Sequence, residues 1–118
     1  MSKSASILME GCCDAMACKM LEIGDWDMNN DATKAVAHGI VNFLKIVMVS
    51  AVIIKDDNSL LYPLTNHIDG VVNADAEVLN IDAINVNLTR KTSGGFNNTD
   101  FDATSFNRGF ITIFYHYL

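Results

Sequence analysis

The chain has a single proline, Pro63, and its longest apolar run, "IVMVSAVII" at 46–54, is about half of the ~18 residues that a membrane-spanning helix needs. A span is excluded on length. The chain's 50% hydrophobic residues and its scarcity of proline argue against disorder as well. The 118 residues make one domain, large enough to bury roughly two-thirds of its unfolded surface.

Basic residues are also scarce. Eight Lys and Arg against 14 Asp and Glu leave a formal net charge of −6, and no basic cluster or stripe occurs. Such a chain repels a phosphate backbone, so no nucleic-acid partner is expected. The N-terminus has one lysine and an apolar centre in the manner of a secretory signal. Glu10 and Asp14 interrupt it and no A-x-A site follows, so it reads as part of the mature protein.

Cysteine is confined to Cys12, Cys13 and Cys18. The Cys13-x4-Cys18 step opens a plant-type iron–sulfur spacing, but position 21 is Leu and no later cysteine exists. Three thiols without a nearby histidine do not make a zinc site, and three clustered cysteines are a poor disulfide framework. They read as small apolar residues kept reduced. His38, His67 and His116 each stand without a ligand-spaced neighbour. The G-x-S-x-G, P-loop and dinucleotide glycine patterns are missing, and Ser93 and Ser105 are ordinary loop serines. No catalytic residue, metal or cofactor is therefore expected. The sequons "NLT" (87–89) and "NNT" (97–99) carry little weight without a secretory signal.

What is present is strand patterning. "INVNLTR" (84–90) alternates strictly, with Ile84, Val86 and Leu88 on one face and Asn85, Asn87 and Thr89 on the other. "FITIFYHYL" (110–118) is aromatic and β-branched with apolar residues on both faces, which fits a central strand buried twice or one facing another chain. "VSAVIIKDDNSLLYPL" (49–64) reads as strand, turn, strand, with Asp56, Asp57, Asn58 and Ser59 supplying Asx-type turn chemistry. Pro63 makes the second of these strands short or peripheral. "GVV" (70–72) and "AEVLNI" (76–81) are weaker strand candidates, and residues 5–20 are compatible with helix. At 32–48, Val36, Ile40, Phe43, Leu44 and Val47 have helical spacing, but Gly39 interrupts and a β-branched stretch follows; periodicity leaves helix and strand equally open.

"LEIGDWDM" (21–28), "VAHGI" (36–40), "VIIKDDNSLLYPL" (52–64) and "LTRKTSGGFNNTDFDATSFNRGFITIFY" (88–115), in this order, resemble a small domain of tailed-bacteriophage and prophage virion proteins, of the tail-fibre and appendage type. The resemblance covers roughly 18–118. It implies an all-β fold, an antiparallel, jelly-roll-like β-sandwich, with a short helical turn near Asn42–Lys45. It implies no known catalytic or ligand residues. Residues 1–17 lie outside it, as an N-terminal extension placed to dock on the particle. The expected function is a non-enzymatic virion structural protein, located in the virion, with other virion proteins as partners. A homo-oligomer, a trimer by analogy with phage appendages, is the expected assembly. The alternative is a module that binds host glycan.

The stretch "NNTDFDATSFNRGF" (97–110) holds the candidate residues. An EF-hand reading fails because the glycine position is Ser105 and the final glutamate position is Ile111. An irregular calcium site on Asn98, Asp100 and Asp102 is one alternative; a structural loop is the better supported reading. In the latter, Asn98, Asp100, Asp102 and Asn107 tie the backbone, Arg108 holds Asp100 or Asp102 to the sheet, and Gly109 allows close approach into the last strand. Trp26, with Asp100 and Asp102, is the candidate glycan platform, against the commoner use of Trp as a core residue. Phe110, Phe114, Tyr115 and Tyr117 are the candidate interface.

Overall fold

A computed structural model describes residues 16–66 and 75–117. Eight strands run in the order β1 (Met16–Glu22), β2 (Thr33–Ala37), β3 (Ile46–Ile54), β4 (Leu61–Pro63), β5 (Thr65–Asn66), β6 (Ala76–Ile81), β7 (Asn85–Arg90) and β8 (Gly109–His116). They form two four-stranded sheets, β1-β8-β3-β4 (sheet A) and β2-β7-β6-β5 (sheet B), stacked as a sandwich. The chain changes sheet between β1 and β2, β2 and β3, β4 and β5, and β7 and β8, the rolled-up eight-stranded plan of a jelly-roll-like body. All pairings are antiparallel except the two-residue contact of β5 with β6.

The strands follow from the sequence pattern. In β7, Val86, Leu88 and Arg90 point inward and Asn85, Asn87 and Thr89 outward. In β8, Ile111 and Ile113 point inward beside Ala51 and Val49 of β3. Ile53, Val86, Leu88, Ile111 and Ile113 are fully buried, each a gain of about 1.5–3 kcal/mol over exposure. Trp26, Met28, Phe96 and Phe101 close the same core from the loops at the Gly109 end of β8. Between β3 and β4, Asp57 Oδ1 accepts from Ser59 N at 2.9 Å, and Asn58 takes a left-handed φ of 63°, which Asn tolerates. The expected strand–turn–strand is there, and β4, with Pro63, is a three-residue edge strand.

The open segment 32–48 resolves as strand β2, a turn through Gly39, a single 3-10 turn at Phe43–Lys45, and the start of β3. Asn42 caps that turn, its side chain accepting from Leu44 N at 3.2 Å. Residues 16–20, read above as helix-compatible, are strand: all seven residues of β1 pair with β8, and that pairing outweighs a helix preference of Ala, Met and Leu. Met16 and Ala17, assigned above to the extension, belong to this strand; the rest of the extension and "GVV" lie outside the described residues.

Every long edge is blunted. On β1 and β2, the edges on one side, Lys19 and Lys34 occupy inward positions, and Lys19 Nζ donates to His38 O at 2.6 Å. An inward charge on an edge strand penalises strand addition. On the other side β4 covers β3 only at 52–54 and β5 covers β6 only at 77–78. Beyond those covers each strand carries a bulge, with Val47 the extra residue in β3 and Leu79 in β6.

Candidate functional site

The predicted loop folds onto the end of the sandwich where β8 begins, and Arg108 is its hub. The side chain is completely buried. Arg108 Nε donates to Trp26 O at 3.0 Å, Nη1 to Ile54 O at 2.9 Å, and Nη2 to Ala103 O at 3.4 Å. Its backbone N–H donates to Gly24 O at 2.9 Å and its carbonyl accepts from Ile54 N at 2.6 Å. The guanidinium lies over the rings of Phe106 (4.9 Å) and Phe101 (5.8 Å). One residue thus joins segments 24–26, 54–56 and 101–108.

Its charge partner is Asp56, with Nη2 to Oδ1 at 2.8 Å, and not Asp100 or Asp102 as expected from sequence. The contact is close but off-line, an ion pair more than an aligned hydrogen bond, since Asp56 Oδ1 has no aligned donor. Asp56 Oδ2 accepts from the backbone N–H groups of Asp102 and Ala103, both at 3.1 Å. Asp102 contributes its main chain; its carboxyl is held above the usual range by partial burial and then by the adjacent Asp56. Asp100 is exposed and lies 3.9 Å from Lys55 Nζ.

The Asx residues act on the backbone. Asn98 Oδ1 accepts from Asp100 N at 2.7 Å and caps the 3-10 turn Thr99–Phe101. Asn107 Oδ1 accepts from Gly24 N at 2.9 Å, and Asp25 Oδ1 from Phe106 N at 2.6 Å. Gly109 pairs with Ile53, and a Cβ there would collide with the Val52 carbonyl. Beneath the loop, Tyr62, Phe96 and Phe101 pack edge-to-face, with centroids 4.9–5.7 Å apart.

Trp26 is 2% exposed and its indole N–H donates to Asp31 O at 2.9 Å. It offers no face for a sugar ring to stack on, so the glycan platform of Trp26 with Asp100 and Asp102 is corrected: Trp26 is a core residue. Three further polar residues had no signal in the sequence. Arg90 is buried and donates through Nε to Met28 O. His38 is buried; Ile40 N donates to its Nδ1 at 3.0 Å, so Nε2 carries the proton and donates to Asp82 O at 2.8 Å. Asp82 accepts from Asn85 N at 2.7 Å, Asn87 Nδ2 at 3.0 Å and Ile84 N at 2.9 Å, which holds its carboxyl down at about 2.

The candidate interface residues separate. Phe110 and Phe114 are outward on β8 and half-buried, while Tyr115 points inward against the core and Tyr117 is exposed beyond the strand. On either side of Phe110 and Phe114 the outward positions of sheet A are largely apolar, crossed by the hydroxyls of Thr112 and Ser50 and ending at His116 and Glu22. Met20 (65% exposed) and Cys18 come from β1, Met48 (52%) and Val52 from β3, and Leu61 (61%) from β4. The outer face of sheet B is its opposite: Thr33, Ala35 and Ala37 lie beside Thr89, Asn87 and Asn85, and Asn87 Nδ2 donates to Asn80 Oδ1 at 2.7 Å. At the far end of β8 from Arg108, a depression of about 320 Å³ is lined by residues including Asn42, Lys45, Tyr115, His116 and Tyr117.

Among the described residues no three His, Cys, Asp or Glu side chains converge at metal-ligand spacing, and no helix is long and apolar enough to cross a membrane. Fold and site define a two-sheet β-sandwich with one end locked by a buried arginine and one sheet face left apolar. Comparison with family models, with curated proteins and with solved structures finds no match to this chain.

Proposed function

We propose that this chain is a non-enzymatic structural protein of a tailed-phage virion, an appendage, fibre or capsid-decoration component that acts through assembly with its own copies and with other virion proteins. The observation that carries the reading is the outer face of sheet A, where Met20, Met48, Leu61, Phe110 and Phe114 make a largely apolar surface crossed only by the hydroxyls of Thr112 and Ser50, on a sandwich whose other face is mostly amides, hydroxyls and alanine. Soluble monomers keep such patches small, so a face of this kind works by being covered. The buried Arg108–Asp56 pair supports it too, because a loop tied through three carbonyls and a carboxylate serves rigidity better than chemistry. Mass spectrometry of purified particles from the source tests the reading. The chain is expected at the copy number of a structural protein; its absence from particles, with abundant chain left in the lysate, overturns it.

A second reading, attachment to host glycan, is favoured by the depression near Tyr117 and not by Trp26. Its tyrosines, amide and cation are the groups that hold sugar rings and hydroxyls. Glycan-array binding that is lost in Tyr117→Ala and kept in Asp100→Ala supports it; no binding to any array glycan counts against it.

A further inference from the structure

The apolar face of sheet A has three properties that bear on what covers it. First, it is almost uncharged: among the described residues at its outward positions the only carboxylate is Glu22, at the corner where β1 ends beside Phe110, His116 stands at the opposite end, Thr112 and Ser50 are neutral hydroxyls, and there is no lysine or arginine. A second identical face meets no repulsion across its centre. Second, strand addition is hindered, because Lys19 and Lys34 point inward on two edges and β3 and β6 carry bulges at Val47 and Leu79 on the other side. Face-to-face stacking meets no such obstacle. Third, the face has a suitable size. Three strands of about seven residues and the three-residue β4, at ~4.8 Å spacing and ~3.4 Å per residue, give a projected area of roughly 400 Å². Side chains standing off the sheet raise this, so two copies hide roughly 1,000 Å², about the least that a specific interface needs.

We infer that the outer face of sheet A is the contact of a homodimer, in which two copies stack sheet A on sheet A about a two-fold axis, with Met20, Met48 and Phe114 at the centre. This rests on the assembly reading above and names its first partner as a second copy of this chain. Two sheets packed in this way lie ~10 Å apart with interdigitating side chains, as the two sheets within one sandwich do. The contact is isologous and therefore closes at two, which replaces the trimer expected by analogy.

The test is sedimentation velocity of the full chain across a concentration series. The wild type is expected to pass from monomer to dimer with a dissociation constant of the order of micromolar, as suits an interface near the lower size limit. Phe114→Lys is expected to raise that constant at least about tenfold by placing an unpaired charge in the contact. Asn87→Lys, on the outer face of sheet B, is expected to leave it unchanged. Should Phe114→Lys fail to fold by circular dichroism, Met20→Lys replaces it, since Met20 is 65% exposed and outside the core. A monomer at every concentration, a trimer, or a dimer indifferent to Phe114→Lys and to Met20→Lys overturns the inference. The outcomes separate it from the virion reading: a monomer present on particles means that another virion protein covers the face, whereas a dimer absent from particles leaves the contact standing and removes the virion assignment.

Discussion

Arg108 and Asp56 meet at 2.8 Å across 52 positions of sequence, the arginine fully buried and the carboxylate side chain 22% exposed. The pair bridges the turn after β3 to the loop before β8, and Asp56 also holds the Asp102 and Ala103 N–H groups. Removing one member of a buried pair leaves the other uncompensated, at a cost of about 3–5 kcal/mol, less when one partner reaches water. Asp56→Ala is therefore expected to cost about 2–4 kcal/mol in urea unfolding. Asp100→Ala should cost under about 1 kcal/mol, since its ion pair with Lys55 is long and partly exposed. An equal loss in both variants would place the anchor of Arg108 elsewhere.

Gly109→Ala is expected to be among the most damaging single substitutions. The added methyl meets the Val52 backbone, which cannot withdraw without opening the β3–β8 ladder at the Ile53–Gly109 pair. A loss above about 3 kcal/mol, or failure to fold, is expected. A soluble variant with an unchanged thermal midpoint would contradict the close approach.

Acid should act through Asp82. Three hydrogen bonds lower its folded pKa to about 2, below its unfolded value, so its stabilisation is complete above about pH 4 and is lost as pH falls from there through 2. Asp82→Asn is expected to flatten the fall in stability between pH 5 and 2. Asp102 has the opposite sign: partial burial and Asp56 raise its pKa, so its ionised form opposes folding at neutral pH and that opposition fades on acidification. Asp102→Asn should thus be neutral or stabilising at pH 7. Urea midpoints at several pH values check both, and a destabilised Asp102→Asn would restore that carboxylate as an anchor.

The single tryptophan gives a direct readout of burial. Native fluorescence should be blue-shifted and resist acrylamide quenching, and Trp26→Ala should cost about 3–5 kcal/mol. Strong quenching in the native state would mean an exposed indole and reopen the stacking platform.

The edge lysines predict solubility more than stability. Lys19→Val with Lys34→Val removes the inward charges from β1 and β2. The double variant is expected to fold yet aggregate at concentrations the wild type tolerates, by strand addition at those edges. Unchanged light scattering would show that the edges are guarded in some other way.

The strands and the turn between β3 and β4 were legible in the residues themselves. Period-2 alternation in "INVNLTR", Asx chemistry in "DDNS" and the lone Pro63 are local signals, because each depends on neighbours within a few positions. The fate of "VAHGIVNFLK" was not, since periodicity there served helix and strand alike, and pairing of β2 with β7 settled it. The same holds for β1, whose Ala, Met and Leu prefer helix until β8 supplies a ladder. Within the loop 97–110 the sequence determined that Asn98 would bind nearby backbone and that Gly109 would allow a close approach, but not that Asn107 would reach Gly24. It had no means to pick Asp56 over Asp100 as the partner of Arg108, to bury Trp26, or to gather Met20, Met48 and Phe114 onto one face. Those outcomes depend on which distant strands become neighbours, and only the stacking of two sheets decides that.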